Sequence, residues 1–258
     1  MSACTYSVDE AGVALMVIDN PPMNALSTKV VNDIREAVNK ALKDDAVRVV
    51  VFTGAGKAFI AGADISEFVD LNTQKAGSDY LKNGQETLNL IENADKPFIA
   101  AINGYALGGG TELALACHMR LADETAQMGL PEIKLGIMPG YGGTQRTPRA
   151  AGLGRAYELI LSGNFITGKQ AAEYGLVNRS VPKGTVVDDA KALARAIASR
   201  GRPAIKRAMG AIKATLSMPL TEGLKFERDE FGLLCETANK KEGVSAFLEK
   251  RNALPKDN

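Results

Sequence analysis

The stretch from Phe98 to Arg146 constrains this chain more than any other part of its sequence. It follows Pro97 with the apolar run FIAAI, whose length and composition predict a buried strand. Three glycines, Gly108 to Gly110, then allow a tight turn into a helix predicted to run roughly from Gly110 to His118. Glu112 lies in the first turn of that helix, where unpaired N–H groups and the helix dipole favour an ionised carboxylate. Such a carboxylate suits a general base, although the residues also fit a plain turn with an acidic residue that complements the dipole.

A second carboxylate, Glu132, lies farther along the same stretch, directly after Pro131 and before a loop rich in glycine and proline. The loop residues of these two types are Gly136, Pro139, Gly140, Gly142 and Gly143. Their backbones permit close approach of a ligand, and the loop ends at another predicted helix. Two carboxylates that each adjoin such backbone predict proton transfer to and from a substrate that develops negative charge on oxygen. A single glutamate in a loop is usually only solvated, so the prediction depends on the pair.

A further segment of small residues, Ala61 to Asp64, follows the predicted buried strand Val47 to Phe52. Loops at the carboxyl ends of strands in open α/β sheets commonly contact ligands. Because Gly108 to Gly110 also follows an apolar strand, we expect N–H groups from the two loops to converge on one carbonyl oxygen. The segment equally fits a turn with small residues for packing. The nearby GAGKAF matches neither the phosphate loop nor the dinucleotide-binding motif, which need other glycines and, for the former, a hydroxyl.

Composition and charge narrow the class of protein. Of the 258 residues, 45% are hydrophobic and 24% are charged, and the net charge is +1. Nucleic-acid binding is not expected, because contact with phosphates needs clustered lysine and arginine. The longest apolar runs fall short of the roughly 20 residues that cross a membrane, and MSACTYSVDEAG lacks the pattern of a signal peptide. We therefore expect a cytoplasmic protein without a membrane segment.

The cysteines and the histidine predict neither a metal site nor a disulfide framework. Cys4, Cys117 and Cys235 are few, and they are not spaced as a CxxC motif. His118, the one histidine, adjoins Cys117 in an apolar helix, where a structural role is more common than metal ligation.

The first half of the chain is interpreted as β-α-β alternation. Residues 5 to 19 predict a hairpin, and Ser27 is the predicted N-cap of the helix that follows. Residues 65 to 94 are predicted to form a helix or a lid, with the stretch NTQKAGSD as the loosest and most mobile part.

The last part of the chain has a wholly helical pattern from about Val186. This change predicts a core of residues 1–185 and a C-terminal helical region of residues 186–258. The apolar faces of these helices fit either the core or another subunit, and composition does not decide between them.

Three motifs resemble those of the enoyl-CoA hydratase/isomerase family, the crotonases. They are GKAFIAGADI, PFIAAINGYALGGGTELALACH and LPEIKLGIMPGYGGTQR, in the family's order and spacing, and EGVSAFLEKR is similar to its C-terminal segment. The resemblance implies an α/β fold, a crotonase spiral of β-β-α repeats with a C-terminal helical region that forms trimers. The implied assembly is a homotrimer or a homohexamer built as a dimer of trimers.

The resemblance also implies roles for the residues of the predicted site. The backbone N–H groups of Ala61 and Gly109 would form an oxyanion hole for a thioester carbonyl. Glu112 would be the base that activates water, Glu132 would protonate C2, and the N–H of Gly140 would help to hold the water. Hydratases of the family carry both glutamates, so the resemblance implies hydration of trans-2-enoyl-CoA to 3-hydroxyacyl-CoA.

Coenzyme A contacts are implied both near the oxyanion hole and near the C-terminus, in relatives sometimes from a neighbouring subunit. The implied contacts are Ala61, Gly62, Ala63, Asp64, Gly109, Phe231, Phe247 and Lys250. Coenzyme A is part of the substrate, so we expect no separate cofactor, and no metal is needed because the oxyanion hole supplies the electrophile. His118 stands where the family often has Asp, which leaves one local hydrogen bond open.

Two other functions stay open at this point. One is a different enzyme of the same fold, such as an enoyl-CoA isomerase or a hydratase of a branched, cyclic or aromatic acyl-CoA. Residues 65 to 94, together with those near Leu130 and Tyr141, would shape the acyl pocket that decides this. The other is a non-catalytic acyl-CoA-binding or RNA-binding protein that has kept the fold, and the balanced charge counts against RNA.

Overall fold

The structure is a computed structural model that describes residues 2 to 253. The chain divides into two compact units, Met1–Ala194 and Arg195–Asn258. The boundary expected near Val186 rested on a change of sequence pattern and stays a prediction. Its C-terminal region extends to residues 254–258, which lie outside the described residues.

The strands lie in the first unit. They are β1 (Cys4–Val8), β2 (Val13–Ile18), β3 (Val49–Gly54), β4 (Ala58–Ile60), β5 (Phe98–Ile102), β6 (Tyr105–Leu107), β7 (Met119–Asp123), β8 (Gln127–Gly129), β9 (Phe165–Thr167) and β10 (Arg179–Val181). Among the described residues they form a six-stranded sheet of order β1-β2-β3-β5-β7-β10 and a four-stranded sheet of order β4-β6-β8-β9. The pairs β2–β3, β3–β5 and β5–β7 are parallel, and β1–β2 is the predicted antiparallel hairpin.

The helices follow the strands in a regular order. They are α1 (Thr28–Lys43), α2 (Gln74–Glu92), α3 (Gly109–Ala116), α4 (Gly143–Ser162), α5 (Gly168–Glu173), α6 (Val186–Ala198), α7 (Arg202–Ala214), α8 (Leu220–Cys235) and α9 (Ala238–Leu248). Short 3₁₀ helices cover Ile65–Phe68 and Pro131–Leu135. A strand of the large sheet, a strand of the small sheet and a helix recur as β3-β4-α2, β5-β6-α3 and β7-β8-α4. The fold is the spiral of β-β-α repeats that the motifs implied.

The central strands are buried on both faces, as expected for parallel strands covered by helices. Every residue of β3 and of β5 is buried. The prediction of a strand at FIAAI is confirmed, and the strand predicted at Val47–Phe52 is observed two residues later, at Val49–Gly54. Ser27 caps α1 as predicted, because its side chain accepts the N–H of Val30 at 3.3 Å.

The segment of residues 65 to 94 is more ordered than its composition suggested. The stretch NTQKAGSD was expected to be loose, yet α2 begins inside it at Gln74, with Thr73 as the N-cap that accepts the N–H of Ala76 at 3.1 Å. The cap satisfies an otherwise unpaired donor, and burial of Leu88 and Ile91 anchors the other end of the helix.

The second unit consists of helices. Arg207 of α7 donates to Glu230 of α8 at 2.8 Å. Large apolar side chains are exposed in this unit, and they include Ile212, Leu216, Leu220, Leu224, Phe231, Leu233, Val244, Phe247 and Leu248. Across the described residues of both units, no helix combines the length and apolar character needed to span a bilayer.

Candidate active site

A cavity of about 490 Å³ opens in the first unit. It is bounded by the segment after β4, by the 3₁₀ helix Ile65–Phe68, by α2, by the start of α3 and by residues 131 to 141. The lining is mostly apolar, and two carboxylates, Glu112 and Glu132, reach it. Apolar walls with a few convergent polar groups are typical of a small-molecule site.

Glu112 is the more rigidly held of the two carboxylates. It lies in α3, a helix whose eight residues are all buried, and is itself 2% exposed. Its Oε1 accepts the N–H groups of Tyr141 and Gly143, both at 2.7 Å. The loop between the 3₁₀ helix and α4 therefore fixes this carboxylate with two backbone donors.

The pKa of Glu112 differs from the expectation for a helix N-terminus. Burial raises the pKa, the N–H of Gly143 lowers it, the charge of Glu132 raises it, and the N–H of Tyr141 lowers it again, with a net value of about 7. Loss of hydration outweighs the two donors, so the pKa of Glu112 lies above the ordinary value that the helix end was expected to hold down. A pKa near 7 nevertheless suits a group that takes and returns a proton.

Glu132 is held far less tightly. It is the second residue of the 3₁₀ helix Pro131–Leu135, and its Oε1 lies against Gly108, where a Cβ atom would be only 2.9 Å away. Gly108 has a φ of +51°, which side chains rarely adopt, so glycine is required there twice over. The Oε2 atom is buried and has no hydrogen-bond partner within residues 2 to 253. Burial raises the pKa of Glu132, which favours the protonated acid.

The predicted amide donors meet different outcomes. Gly109 lines the cavity as the first residue of α3, where its N–H has no acceptor within the helix. The N–H of Ala61 instead donates to the carbonyl of Met23 at 3.1 Å. The assignment of Ala61 to the oxyanion hole is therefore wrong, since its one proton is already engaged.

Ala63 is better oriented to supply the second donor. It forms a parallel bridge with Leu26, in which Leu26 N–H donates to Gly62 at 2.8 Å and Asp64 N–H donates to Leu26 at 2.9 Å. Because backbone groups alternate in direction along an extended strand, the N–H of Ala63 points away from Leu26. Ala63 also lines the cavity. The spacing AGAD does not reveal which alanine is engaged, because the acceptor Met23 comes from a distant part of the chain.

The other predicted positions of the first unit are only partly brought into the cavity. Gly62 and Gly140 line it, and the Gly140 carbonyl accepts Gln85 Nε2 at 2.8 Å. Asp64 does not line it, because its carboxylate caps the following 3₁₀ helix by accepting the N–H and hydroxyl of Ser66 at 3.0 and 2.7 Å.

The three predicted C-terminal contacts lie in the second unit. Phe231 is in α8 with 67% of its surface exposed, and Phe247 is in α9 with 82% exposed. Lys250 follows α9, is exposed and has a φ of +54°. Their role in coenzyme A binding stays a prediction.

His118 has the structural role that was predicted. Its Nδ1 accepts the N–H of Phe98, the first residue of β5, at 3.0 Å. This bond ties the short connection between α3 and β7 to the start of β5.

Two groups of residues were missed by sequence reasoning. Tyr80 and Leu81 of α2 line the cavity, within a segment predicted to shape the acyl pocket but without residues named. Arg146 was noted only as the end of GGTQR, yet its Nη1 donates to the carbonyl of Tyr141 at 2.8 Å. The sequence does not show that Arg146 is buried, and only its burial reveals that it needs partners, because so large a cation is rarely buried unless it is paired.

Comparisons with known proteins agree with this geometry. A probable enoyl-CoA hydratase of Bacillus subtilis is 42% identical over 97% of both chains. A crotonyl-CoA hydratase of Syntrophomonas wolfei is 40% identical over 95% of this chain and 94% of the relative. The crystal structure of an enoyl-CoA hydratase from Bacillus anthracis superposes with a TM-score of 0.94 at 38% identity, over 99% of this chain and 100% of that one. Residues 9–258 match the description enoyl-CoA hydratase/isomerase, and the chain belongs to that family.

Proposed function

We propose that this chain is a hydro-lyase that adds water across the C2–C3 double bond of a trans-2-enoyl-CoA to give a 3-hydroxyacyl-CoA. The observation that carries the proposal is the presence of Glu112 and Glu132 in one apolar cavity beside the N–H of Gly109. The names of the similar proteins from Bacillus subtilis and Syntrophomonas wolfei support the same reaction.

The proposed reaction assigns one task to each carboxylate. Glu112 takes a proton from water, whose oxygen forms a bond to C3 while the electrons of the double bond move toward the thioester oxygen. The N–H groups of Gly109 and Ala63 stabilise the resulting enolate, in place of the pair first expected. The enolate carbonyl re-forms as C2 takes the proton of Glu132. The N–H of Gly140 helps to hold the water.

The environments of the two carboxylates fit these tasks. Glu112 receives two backbone donors that stabilise its negative charge, as a base requires. Glu132 has a buried oxygen without a partner, which fits a proton that waits for transfer. Two nearby carboxylates resist simultaneous ionisation, so the pair holds one proton over the pH range between its two titration steps. After each turnover Glu112 has gained a proton and Glu132 has lost one. Proton exchange with solvent, as the product leaves, restores the starting protonation of the pair.

The substrate and the assembly complete the proposal. Coenzyme A enters as part of the substrate, and acid–base chemistry with amide donors uses no further cofactor. Phe231, Phe247 and Lys250 are proposed to contact coenzyme A in a homotrimer or homohexamer. The exposed apolar side chains of the second unit support an assembly of this kind, because burial of such side chains drives association. Size-exclusion chromatography with light scattering measures the number of subunits in the assembly.

A spectroscopic assay tests the function directly. Addition of the protein to crotonyl-CoA should remove the absorbance of the conjugated thioester, and chromatography should identify 3-hydroxybutyryl-CoA. The double variant Glu112→Gln with Glu132→Gln is the matched control, since it keeps the size of both side chains. Absence of turnover with any 2-enoyl-CoA from C4 to C16 would reject the proposal, and conversion of a 3-enoyl-CoA alone would favour an isomerase.

A further inference from the structure

The loop that supplies hydrogen bonds to Glu112 is itself held from the side of α2. Gln85 Nε2 donates to the Gly140 carbonyl at 2.8 Å. That carbonyl and the Tyr141 N–H belong to one planar peptide unit, so fixing the carbonyl also orients the N–H. The N–H in turn donates to Glu112 Oε1 at 2.7 Å. A side chain of α2 thus controls one of the two donors of Glu112.

Arg146 connects the same loop to α2 through its guanidinium. It lies in the first turn of α4 and is 8% exposed. Its Nη1 donates to the Tyr141 carbonyl at 2.8 Å, and its Nη2 donates to Glu92 Oε2 at 2.7 Å and to Asn89 Oδ1 at 2.8 Å. The planar guanidinium offers these donors in a fixed arrangement, which a lysine does not reproduce.

The contacts on α2 come from one face of the helix. Gln85, Asn89 and Glu92 are spaced at i, i+4 and i+7, which places them along one side. We name this strip the α2 clamp face. The same helix lines the cavity with Tyr80 and Leu81, so one element contacts both the cavity and the loop behind Glu112.

Gly142 shows how closely the guanidinium fits against the loop. Its φ is +105°, and a Cβ atom there would lie 2.2 Å from Arg146 Nη1. The Gly142 carbonyl accepts the N–H groups of Gln145 and Arg146 at 3.0 and 2.9 Å, which starts α4. The Gly143 N–H that reaches Glu112 shares a peptide plane with this carbonyl, so it is fixed by the beginning of the helix.

We propose that Arg146 is a positioning residue for Glu112, and that the α2 clamp face holds Arg146 in place. The inference rests on the proposed role of Glu112 as the base. Arg146 acts through the carbonyl of Tyr141 and is not among the residues that line the cavity. The position of the base therefore depends on α2, the helix that also contacts the cavity.

The charge of Arg146 has a second, separable effect. It lowers the pKa of Glu112, against burial and the charge of Glu132, which raise it. The titratable groups around Glu112 on the neighbouring elements are Glu132, Tyr141, Arg146, Tyr80 and Glu92. Loss of the positive charge raises the pKa of Glu112, and because the base must be ionised, the acid limb of the pH–rate profile moves to higher pH.

Three variants separate position from charge. Arg146→Gln should lower kcat about 100-fold, the scale of a misplaced reacting group, and should move the acid limb to higher pH. Arg146→Lys keeps the charge without the fixed arrangement of donors, so kcat should fall while the limb stays. Gln85→Ala removes the bond to Gly140 and no charge, so kcat should fall about five-fold with an unmoved limb. KM for crotonyl-CoA should change little in all three.

Controls make the result specific. Arg155→Gln removes an arginine of the same helix whose exposed pair with Glu158 is remote from the loop contacts, and it should leave kcat and the pH profile unchanged. Circular dichroism checks that each variant is folded. The inference would be overturned if folded Arg146→Gln kept both its kcat and the position of its acid limb. It would also be overturned if Arg155→Gln changed kcat and the pH profile as much as Arg146→Gln does.

A measurement without turnover distinguishes failure of this inference from failure of the proposed function. The ¹³C signal of the Glu112 carboxyl, assigned by its loss in Glu112→Gln, reports the pKa of that group directly. The pKa should rise in Arg146→Gln and stay in Arg155→Gln, whatever substrate the unchanged protein accepts. An unshifted titration in Arg146→Gln would reject the role of Arg146, whereas an inactive unchanged protein with shifted titration would reject only the hydratase.

Discussion

The two carboxylates of the cavity are supported in opposite ways. Glu112 lies in a fully buried helix and accepts two backbone N–H groups at 2.7 Å. Glu132 lies in a short 3₁₀ helix against the bare backbone of Gly108, with one buried oxygen unpaired within residues 2 to 253. Two chemically identical side chains thus have one fixed environment and one unsatisfied environment.

This difference in environment bears on the proposed roles of base and acid. Burial raises the pKa of both carboxyl groups, but only Glu112 receives donors from other residues that stabilise its charge. Fixed donors hold a carboxylate in position and oppose the rise in pKa that burial causes, whereas Glu132 has no donor from another residue to oppose that rise. The two environments therefore differ although the sequence gives both positions the same side chain, and the proposed reaction assigns the base to the position with fixed donors and the acid to the other.

The largest expected effect is loss of turnover when either carboxyl group is replaced. Glu112→Gln and Glu132→Gln should each lower kcat for crotonyl-CoA about 10²- to 10⁴-fold, the usual contribution of a proton-transfer group. The double variant should be little worse than the poorer single one, since both carboxyl groups serve the same reaction and their effects are not additive. Thioester binding by Glu132→Gln, measured by calorimetry, should be largely kept. Near-normal turnover in either single variant would remove that residue from its role.

A change at Gly108, which contacts Glu132, should have the next largest effect. Gly108→Ala places a Cβ atom 2.9 Å from Glu132 Oε1 at a φ of +51°, so the carboxylate is displaced while the donors of Glu112 remain. We expect kcat to fall about 100-fold, which stopped-flow or steady-state assays can measure. Gly184→Ala is the control, because its φ of +86° imposes a comparable backbone strain while nothing lies within 4 Å of its added Cβ. Equal kinetics for the two variants would show that contact with Gly108 does not position Glu132.

The backbone and the side chain of Tyr141 contact different parts of the site, so a substitution can change the shape of the cavity without removing a hydrogen bond to Glu112. Its N–H serves Glu112, whereas its ring lines the cavity. Tyr141→Ala should keep the N–H contact and enlarge the cavity, so kcat/KM for a C8 enoyl-CoA should rise about 10-fold relative to crotonyl-CoA, the scale of a changed apolar contact. Tyr141→Phe, which removes only the hydroxyl, should leave the ratio unchanged. An unchanged ratio in Tyr141→Ala would place the acyl chain elsewhere.

The smallest expected effect concerns stability. The pKa of Glu112 is about 7 in the folded protein and 4.5 without the fold, so between these values the folded state binds more protons than the unfolded state. Stability contributed by this group is therefore present below about pH 4.5 and is lost as pH rises through 7. Glu112→Gln should lack this loss, so its free energy of unfolding at pH 8 should exceed that of the unchanged protein by about 1 kcal/mol. The gain is no larger because the new amide needs hydrogen-bond partners of its own.

Urea denaturation at pH 5 and pH 8 measures this difference. The free energy of unfolding of Glu112→Gln, minus that of the unchanged protein, should be larger at pH 8. If this difference in unfolding free energy does not depend on pH, burial does not raise the pKa of Glu112.

Several parts of the architecture were predictable because they depend on neighbours in sequence. The strand FIAAI, the hairpin and the Ser27 cap follow from apolar runs and local hydrogen bonds, and all were observed. The start of α2 at Gln74 was missed, because the N-cap Thr73 lies in a polar stretch whose composition resembles a loop.

The sequence determined the family, the spiral fold and the presence of two glutamates beside glycine, since these depend on motifs and on local periodicity. Only the tertiary structure decided that Met23 engages the N–H of Ala61, and that burial outweighs the two backbone donors in setting the pKa of Glu112. It also decided that Arg146 reaches α2. Each of these outcomes depends on which groups, far apart in sequence, come close together in the fold. Hydrogen bonds and desolvation depend on distances in space, and the order of residues alone does not give those distances.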